Sequence, residues 1–221
     1  MTPDANRTIA FSGFQWAVKQ SVSPVGPGPN VFSAGNVAVD ARGLHLSVER
    51  RRGEWTCAEV VAQGQFGYGR YSWTVAGDVT SVVTNGVLGM FTWSDQTTHA
   101  HRELDIEFAR WSAPGPPGNF TVQAAVPPYT HRFDLAAAQR SVHTIDWQPG
   151  RVGFSSLAAG RTATWRYTGS FVPVPGGGVT PRMNLWLFRG RAPDAPWRVT
   201  FEGFRYTPST PGAAGSPAPG S

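Results

Sequence analysis

Short runs of β-forming residues, separated by Gly, Pro, Asp and Asn clusters, recur along most of the chain. With 26 Gly and 19 Pro in 221 residues, turns come too often for a helical bundle and suit many short strands. Within the runs, polarity alternates or β-rich residues dominate. The clearest runs are 37–40, 44–48, 71–75, 103–108, 121–126 and 197–201. The pattern predicts an all-β fold, a two-sheet antiparallel β-sandwich of the jelly-roll kind, with residues 134–140 as the only plausible helical turn.

The length of the chain fits one domain. A chain of 221 residues and 23.8 kDa can bury a full core, whereas two domains would be cramped. Strand signals extend over residues 11–206, which we take as the folded domain. Residues 1–10 are weakly patterned and are expected to be a flexible N-terminus. Residues 207–221 are rich in Pro, Gly, Ala and Ser, a composition typical of a flexible tail or the start of a linker.

The net charge of +5 does not indicate a nucleic-acid partner. All but one of the 19 basic residues are Arg, and they are scattered singly apart from the run 50–52, whereas nucleic-acid binders cluster their charge. No apolar run approaches a membrane span, and the N-terminus lacks the apolar stretch of a signal peptide. The lone Cys57 excludes an internal disulfide. Nine Trp exceed the needs of a core this size, so some are expected at the surface, where aromatic rings can stack on sugars.

Within the segment 101–108, residues 103–108 alternate strictly between acidic and apolar side chains. On a strand, Leu104, Ile106 and Phe108 would share the face that packs into the core. Three carboxylates would then lie in a row on the opposite face, and their mutual repulsion must raise at least one pKa. By itself such a row also fits a solvated strand face or a Ca²⁺-binding cluster. The members of this acidic row are Glu103, Asp105 and Glu107.

The spacing of the two glutamates suits a particular chemistry. Cα atoms four residues apart on a strand are separated by about 13 Å, and two Glu side chains that lean together can close most of that gap. Retaining glycosidases hold an ionised nucleophile and a protonated acid about 5–5.5 Å apart, whereas inverting enzymes leave room for a water. Asp105, between them, can hydrogen-bond one partner and tune its pKa.

Five blocks, in order along residues 37–206, resemble glycoside hydrolase family 16, the family of bacterial lichenases and laminarinases. The segment 103–108 is similar to the catalytic signature of that family in its regular form. The resemblance implies a jelly roll whose concave sheet forms a cleft for a glycan chain. The other blocks are Cys57-Ala-Glu-Val with Phe66-Gly-Tyr-Gly-Arg-Tyr, Gly89-Met-Phe-Thr-Trp, His143-Thr-Ile-Asp-Trp-Gln-Pro-Gly and Met183-Asn-Leu-Trp.

The resemblance also implies roles for individual residues. Glu103 corresponds to the nucleophile, Glu107 to the general acid/base and Asp105 to the supporting carboxylate. Further residues fall where the family lines its cleft; these are Glu59, Phe91, Trp93, Gln123, Asn184 and Trp186. Rim positions are less certain to contact substrate; the candidates are His99, His101, Trp111 and Tyr129. The chain departs from the lichenase branch at Val61, which replaces an Arg beside Glu59, and at Ala125 and Pro127, so the substrate is left open.

These observations favour a retaining endo-acting glycosidase that cleaves a β-glucan or related polysaccharide. A transglycosylase would use the same site, and a non-catalytic carbohydrate-binding or lectin-like module would use the same fold. The acidic row favours an enzyme, since a lectin needs neither nucleophile nor acid. No cofactor is required and no catalytic metal is expected; a structural Ca²⁺ is possible but is not indicated. We expect a monomer that works outside the cytoplasm, with its signal peptide absent from this sequence.

Overall fold

Sixteen β-strands make up most of the structure, a computed structural model that describes residues 7–111, 113–123 and 128–209. The strands are β1 Thr8–Phe11, β2 Phe14–Val18, β3 Val31–Phe32, β4 Val37–Asp40, β5 Gly43–Arg51, β6 Glu54–Ala62, β7 Gly69–Ala76, β8 Gly86–Trp93, β9 Leu104–Ala109, β10 Gly118–Val122, β11 Tyr129–Phe133, β12 Arg140–Gln148, β13 Arg151–Ala158, β14 Arg161–Tyr167, β15 Thr180–Leu187 and β16 Trp197–Pro208. The helical elements among the described residues are one-turn 3₁₀ helices at Ala34–Asn36, Ala100–Arg102 and Phe188–Gly190.

The strands form two layers, which confirms the predicted antiparallel sandwich. One layer, the cleft sheet, has the strand order β11-β10-β9-β8-β15-β6-β2-β1. The other, the back sheet, has the order β4-β5-β16-β7-β12-β13-β14. The hairpin of β5 and β6 carries the chain from one sheet to the other. Among the described strands, only β3 with β6 is a parallel pair.

The core lies between the two sheets, where each sheet contributes alternate side chains. On β9 the predicted inward face is confirmed, since Leu104, Ile106 and Phe108 are fully buried. Three of the nine Trp residues are also fully buried; these are Trp16, Trp73 and Trp147. The other six are partly exposed, in line with the expectation that the core does not need them all.

Two sequence-based boundaries differ from the structure. Residues 8–10 belong to β1, which pairs with β2, so the ordered domain begins before the predicted position 11, and β16 continues to Pro208. The expected helical turn at 134–140 is wrong: residues 134–139 are irregular and Arg140 begins β12. A single helical turn is marginal without packing support. Ala125 and Pro127, like most of the predicted tail, lie outside the described residues.

The described residues contain no helix that is long and apolar enough to cross a membrane.

Candidate active site

The pairing register of the cleft sheet brings the predicted site residues together. Residues directly opposite on neighbouring strands share a face of the sheet. Glu107 of β9 lies opposite Gly89 of β8, which lies opposite Asn184 of β15, and Asn184 lies opposite Glu59 of β6. The row that begins at Asp105 continues through Phe91, Arg182 and Val61.

These rows form the floor of a cleft of about 430 Å³. Eight of the nine predicted site residues line it; these are Glu59, Phe91, Trp93, Glu103, Asp105, Glu107, Asn184 and Trp186. The ninth, Gln123, lies beside the acidic row: its backbone N–H donates to the Glu103 carbonyl at 3.2 Å, and its side chain hydrogen-bonds Asp105. The sequence-based set of site residues is therefore assembled in one place.

Glu103 immediately precedes β9 and is held there by an unusual turn. Residues 99–102 all have positive φ, between 47° and 58°, although none is Gly, and such backbone is costly unless its surroundings support it. The support comes from the buried side chain of Arg102. Its Nε donates to the Val174 carbonyl at 2.9 Å, and its Nη1 donates to Thr98 Oγ1 at 2.9 Å. The turn fixes where the first glutamate enters the cleft.

Burial is the largest cause that raises the pKa values of all three acids, and nearby negative charge adds to it. Burial raises the pKa of Glu103 to about 7, while a hydrogen bond from Asp105 and the charge of Arg182 act to lower it. Burial, and then the charge of Glu103, raises the pKa of Glu107 to about 8. The pKa of Asp105 is raised well above its ordinary value by burial and by the charges of both glutamates. At neutral pH the cleft can therefore hold a proton on Glu107 beside an ionised Glu103.

Asp105 lies between the two glutamates in the acidic row. It is 3% exposed, and in its neutral form it donates a hydrogen bond to Glu103, which favours the charged form of that glutamate. Its Oδ2 is buried and has no hydrogen-bond partner among the described residues. The raised pKa values of Asp105 and Glu107 favour the protonated forms of these two carboxyl groups.

A second polar group lies at the far side of the cleft floor, around Glu59. This residue is 1% exposed, and its carboxylate receives Lys19 Nζ at 3.0 Å and Asn184 Nδ2 at 3.5 Å. Asn184 Oδ1 is buried without a partner in the part of the chain that the structure describes, and it faces Gly89, where an added Cβ would lie only 2.4 Å from it. The glycine therefore makes room for an amide that can bind a ligand hydroxyl.

Aromatic side chains border both ends of the cleft. The ring of Trp93 stacks on that of His101, with centroids 4.1 Å apart and planes 11° apart. At the other end the ring centroids of Trp186 and Trp111 are 6.0 Å apart. Such partly exposed rings are natural stacking surfaces for sugars.

Only some of the rim candidates contact residues of the cleft. His101 and Trp111 contact cleft residues, whereas His99 is exposed and Tyr129 packs instead near Tyr167 and Phe171.

Sequence reasoning missed three charged residues that line the cleft; these are Lys19, Asp95 and Arg182. Only the alternation of β15, which places Arg182 on the face of Asn184, could have pointed to one of them.

Among the residues that the structure describes, no group of three or more His, Cys, Asp or Glu side chains is arranged to hold a metal ion.

The fold is similar to that of solved glucanase structures. A β-glucanase of Bacillus licheniformis shares 20% identity at a TM-score of 0.68, over 91% of this chain and 95% of that chain. A β-1,3-glucanase from Mycobacterium marinum shares 15% identity at a TM-score of 0.68, over 93% of this chain and 94% of that chain. Rv0315 of Mycobacterium tuberculosis is described as an immunostimulatory antigen and pseudo β-1,3-glucanase. It shares 17% identity at a TM-score of 0.67, over 88% of this chain and 91% of that chain. No protein-family model matches the chain, and a search of curated proteins finds no match either.

Proposed function

We propose that this protein is a retaining, endo-acting glycoside hydrolase that cleaves a β-glucan or a related polysaccharide by double displacement. The observation that carries the proposal is the acidic row that begins at Glu103 and continues along one face of β9, in which Asp105 lies between two glutamates of raised pKa on the floor of a cleft. Glu103 is the nucleophile and Glu107 is the general acid/base. Asp105 orients the Glu103 carboxylate and stabilises its negative charge through a hydrogen bond.

In the first step the ionised Glu103 attacks the anomeric carbon of the sugar. A bond forms between that carbon and the carboxylate oxygen as the glycosidic bond breaks, and Glu107 gives its proton to the departing oxygen. The hydrogen bond from Asp105 holds Glu103 in place for attack. Most of the barrier reduction is expected from this fixed geometry and from the proton transfer.

In the second step Glu107 changes role because the charge beside it has gone. The negative charge of Glu103 helps to hold the pKa of Glu107 at about 8, and that charge disappears once Glu103 is esterified. Glu107 then favours its ionised form and can take a proton from an incoming water. The water attacks the anomeric carbon, Glu103 leaves as a carboxylate, and the product keeps the β configuration. If a sugar hydroxyl replaces water, the same step is a transglycosylation.

The remainder of the cleft suits a polymeric carbohydrate. Trp93 and Trp186 offer rings at opposite ends, while Glu59 and Asn184 present polar groups to hydroxyls between them. Rings at both ends of the cleft fit sugar units on either side of the cleaved bond, and therefore attack within a chain. Because polymeric glycans are met outside the cytoplasm, the proposal includes an extracytoplasmic site of action.

The rival function is a glycan-binding module without catalysis. The fold does not decide between them, as the description of Rv0315 as a pseudo β-1,3-glucanase illustrates for that protein. What favours catalysis here is the proton arrangement, since binding alone requires neither a protonated Glu107 nor an Asp105 that hydrogen-bonds Glu103.

A reducing-sugar screen with wild type and Glu103→Gln tests the proposal. The substrates are β-1,3-glucan, mixed-linkage glucan, xyloglucan, agarose and carrageenan. We expect wild type to release reducing ends from at least one, and Glu103→Gln to lose about 10⁴-fold or more while still binding it. NMR of the first product should show the β anomer. Binding without hydrolysis by wild type would favour the module, and an α anomer first would require inversion.

A further inference from the structure

The segment 19–30, between β2 and β3, crosses one face of β6 and separates two cavities; we call this segment the strap. On one side, its residues Lys19, Gly26 and Pro27 line the candidate active-site cleft. Its other side faces a second cavity of about 490 Å³, which the turn before β6 and the residues after β15 also line. The strap residues in the lining of the second cavity are Val22, Ser23, Pro24, Pro29 and Asn30.

Hydrogen bonds hold the strap in place between the two cavities. Val25 and Asn30 exchange two backbone hydrogen bonds, of 2.8 and 3.0 Å, which close the loop between them. Lys19 Nζ donates to the Gly26 carbonyl at 2.8 Å. At the end of β15, the carbonyl of Leu187 accepts a hydrogen bond from Asn30 Nδ2 at 2.9 Å. The wall of the second cavity is therefore preformed, which lowers the entropic cost of binding there.

The floor of the second cavity continues the floor of the cleft along β6. Side chains at every second residue of a strand share a face, so Trp55 and Cys57 lie on the face of Glu59. The strap covers Cys57, whose thiol donates to Asn30 Oδ1 at 3.4 Å. Beyond the strap, Trp55 lies about 13 Å along the strand from Glu59. Trp55 lines the second cavity and is partly exposed there.

The lining of the second cavity suits an uncharged sugar chain. Trp55 offers a ring on which a sugar can stack, and Ser23 offers a hydroxyl that can bind sugar hydroxyls. Val22, which is 91% exposed, adds apolar surface. None of the described residues that line this cavity is Lys, Arg or His, and its charged member, Glu54, would repel sulfate or carboxylate groups. Arg50, directly opposite Trp55 on β5, is exposed and is not part of the lining.

We propose that the second cavity is a separate glycan-binding site, in which Trp55 stacks on a neutral polysaccharide. Its place on the same strand face as the cleft favours this occupant, because a polymer held in the cleft presents further sugar units to the neighbouring surface. A polymer that is bound at this site is also kept at a high effective concentration near the cleft. The inference rests on the proposed function for the class of ligand, but it requires no catalysis.

NMR of the Trp indole N–H groups in ¹⁵N-labelled Glu103→Gln protein tests the inference without turnover. The probes are oligosaccharides of β-1,3-glucan, mixed-linkage glucan and xyloglucan, with carrageenan oligosaccharides as the sulfated comparison. Trp55→Phe and Trp165→Phe identify the signals of those two residues. We expect the Trp55 signal to shift with at least one neutral probe and not with the sulfated one. The Trp165 signal, on the edge strand β14, should stay unchanged.

A second variant separates this site from the cleft. Trp93→Ala removes a stacking ring from the cleft, so the Trp55 shift should persist with the same midpoint in Glu103→Gln protein that also carries it. A Trp55 shift that disappears with Trp93→Ala would mean that the ligand binds in the cleft alone, and would overturn the inference.

Affinity electrophoresis in gels that contain the intact polysaccharide measures the contribution of Trp55. Adding Trp55→Ala to the Glu103→Gln protein should weaken binding about 2- to 10-fold, as expected for one stacked ring. Adding Glu54→Ala, at the neighbouring residue, should leave binding unchanged, because Glu54 offers no stacking surface. If Trp55→Ala does not fold, Trp55→Leu keeps an apolar side chain without a flat ring and serves the same comparison.

The outcomes distinguish this inference from the proposed function. If wild type hydrolyses a neutral glycan whose oligosaccharides leave the Trp55 signal unchanged, the inference is wrong and the proposed function stands. Equal retardation of the folded Trp55→Ala protein and its parent would also overturn the inference. If the Trp55 signal shifts with a neutral probe while wild type hydrolyses no polysaccharide, the second site stands and the proposed function fails.

Discussion

The two sides of β9 each bury a titratable group, and they treat it differently. On the core side, His143 of β12 packs against Phe108 and is fully buried, which lowers its pKa to about 3. Its Nε2 lies 2.8 Å from Ser141 Oγ and its Nδ1 lies 2.9 Å from Ser156 Oγ. On the cleft side, Asp105 is almost as deeply buried, yet no described residue offers its Oδ2 a hydrogen bond.

The difference is between a buried polar group whose partners the fold supplies and one for which the described residues supply fewer partners. A buried polar atom without a partner is costly, so a fold normally supplies one, as it does for both nitrogens of His143. On the cleft floor, the atoms that find no partner within the described part of the chain include Asp105 Oδ2, Arg182 Nε and Asn184 Oδ1. They lie in adjacent rows of one sheet, where a bound ligand could satisfy them. Five of the seven unpartnered buried side-chain atoms among the described residues lie on strands of the cleft sheet, and one, Trp73 Nε1, lies in the core.

The largest effect should follow from removing the proton donor on the cleft side. Glu107→Ala should slow hydrolysis of substrates with poor leaving groups by roughly 100- to 10,000-fold, since these depend on protonation of the departing oxygen. An activated aryl glycoside should lose less in its first step, and azide should partly restore turnover by attacking the glycosyl-enzyme without base assistance. Steady-state kinetics with both substrates make the comparison, with the exposed Glu54→Ala as control. Equal losses on both substrates and no response to azide would remove Glu107 from this role.

On the core side the expected effect is on stability in acid. His143 has a folded pKa of about 3 against an ordinary 6.5, so below pH 6.5 the unfolded chain binds a proton that the folded chain does not. The free energy of unfolding should therefore fall by roughly 3 kcal/mol between pH 7 and pH 4 because of His143. His143→Gln should be less stable at pH 7 but should lose less on acidification. Urea unfolding across that range measures the slopes, with the exposed His99→Asn expected to follow wild type. Identical slopes for His143→Gln and wild type would contradict the assignment.

A smaller effect of opposite sign is expected from the cleft. Glu107 has a raised folded pKa of about 8, so its contribution to stability is present below its unfolded pKa near 4.5 and is lost as the pH rises through 8. Glu107→Gln should therefore be more stable than wild type at pH 9 by roughly 1–2 kcal/mol, after allowance for its partial exposure. The two should nearly coincide near pH 4.5. Thermal melts at both pH values test this, with Glu54→Gln as the exposed control. If Glu107→Gln and wild type differ in Tm by the same amount at both pH values, the raised pKa of Glu107 is contradicted.

Much of the fold and the centre of the site could be predicted because their signals are local. Alternation along 103–108 assigns a face to every residue of β9 without knowledge of its neighbours, and the structure confirms that assignment. Turn residues between short β-rich runs indicated the sandwich. The failed helix at 134–140 shows the limit of local propensity, since a short Ala-rich stretch does not form a helix unless tertiary packing supports it.

What the sequence by itself determined is which side chains lie on which face; tertiary structure decided which of them meet. Arg182 reaches Glu59 only because β15 pairs with β6 in a register that sets it opposite Val61, over a separation of more than a hundred residues along the chain. Lys19 reaches the same carboxylate because the chain leaves β2 beside β6. The pKa values follow the same division. The like charges at every second residue of the acidic row were visible in the sequence. Burial is the largest cause of every pKa shift in that row, and it arises only when distant strands exclude water from the three carboxyl groups.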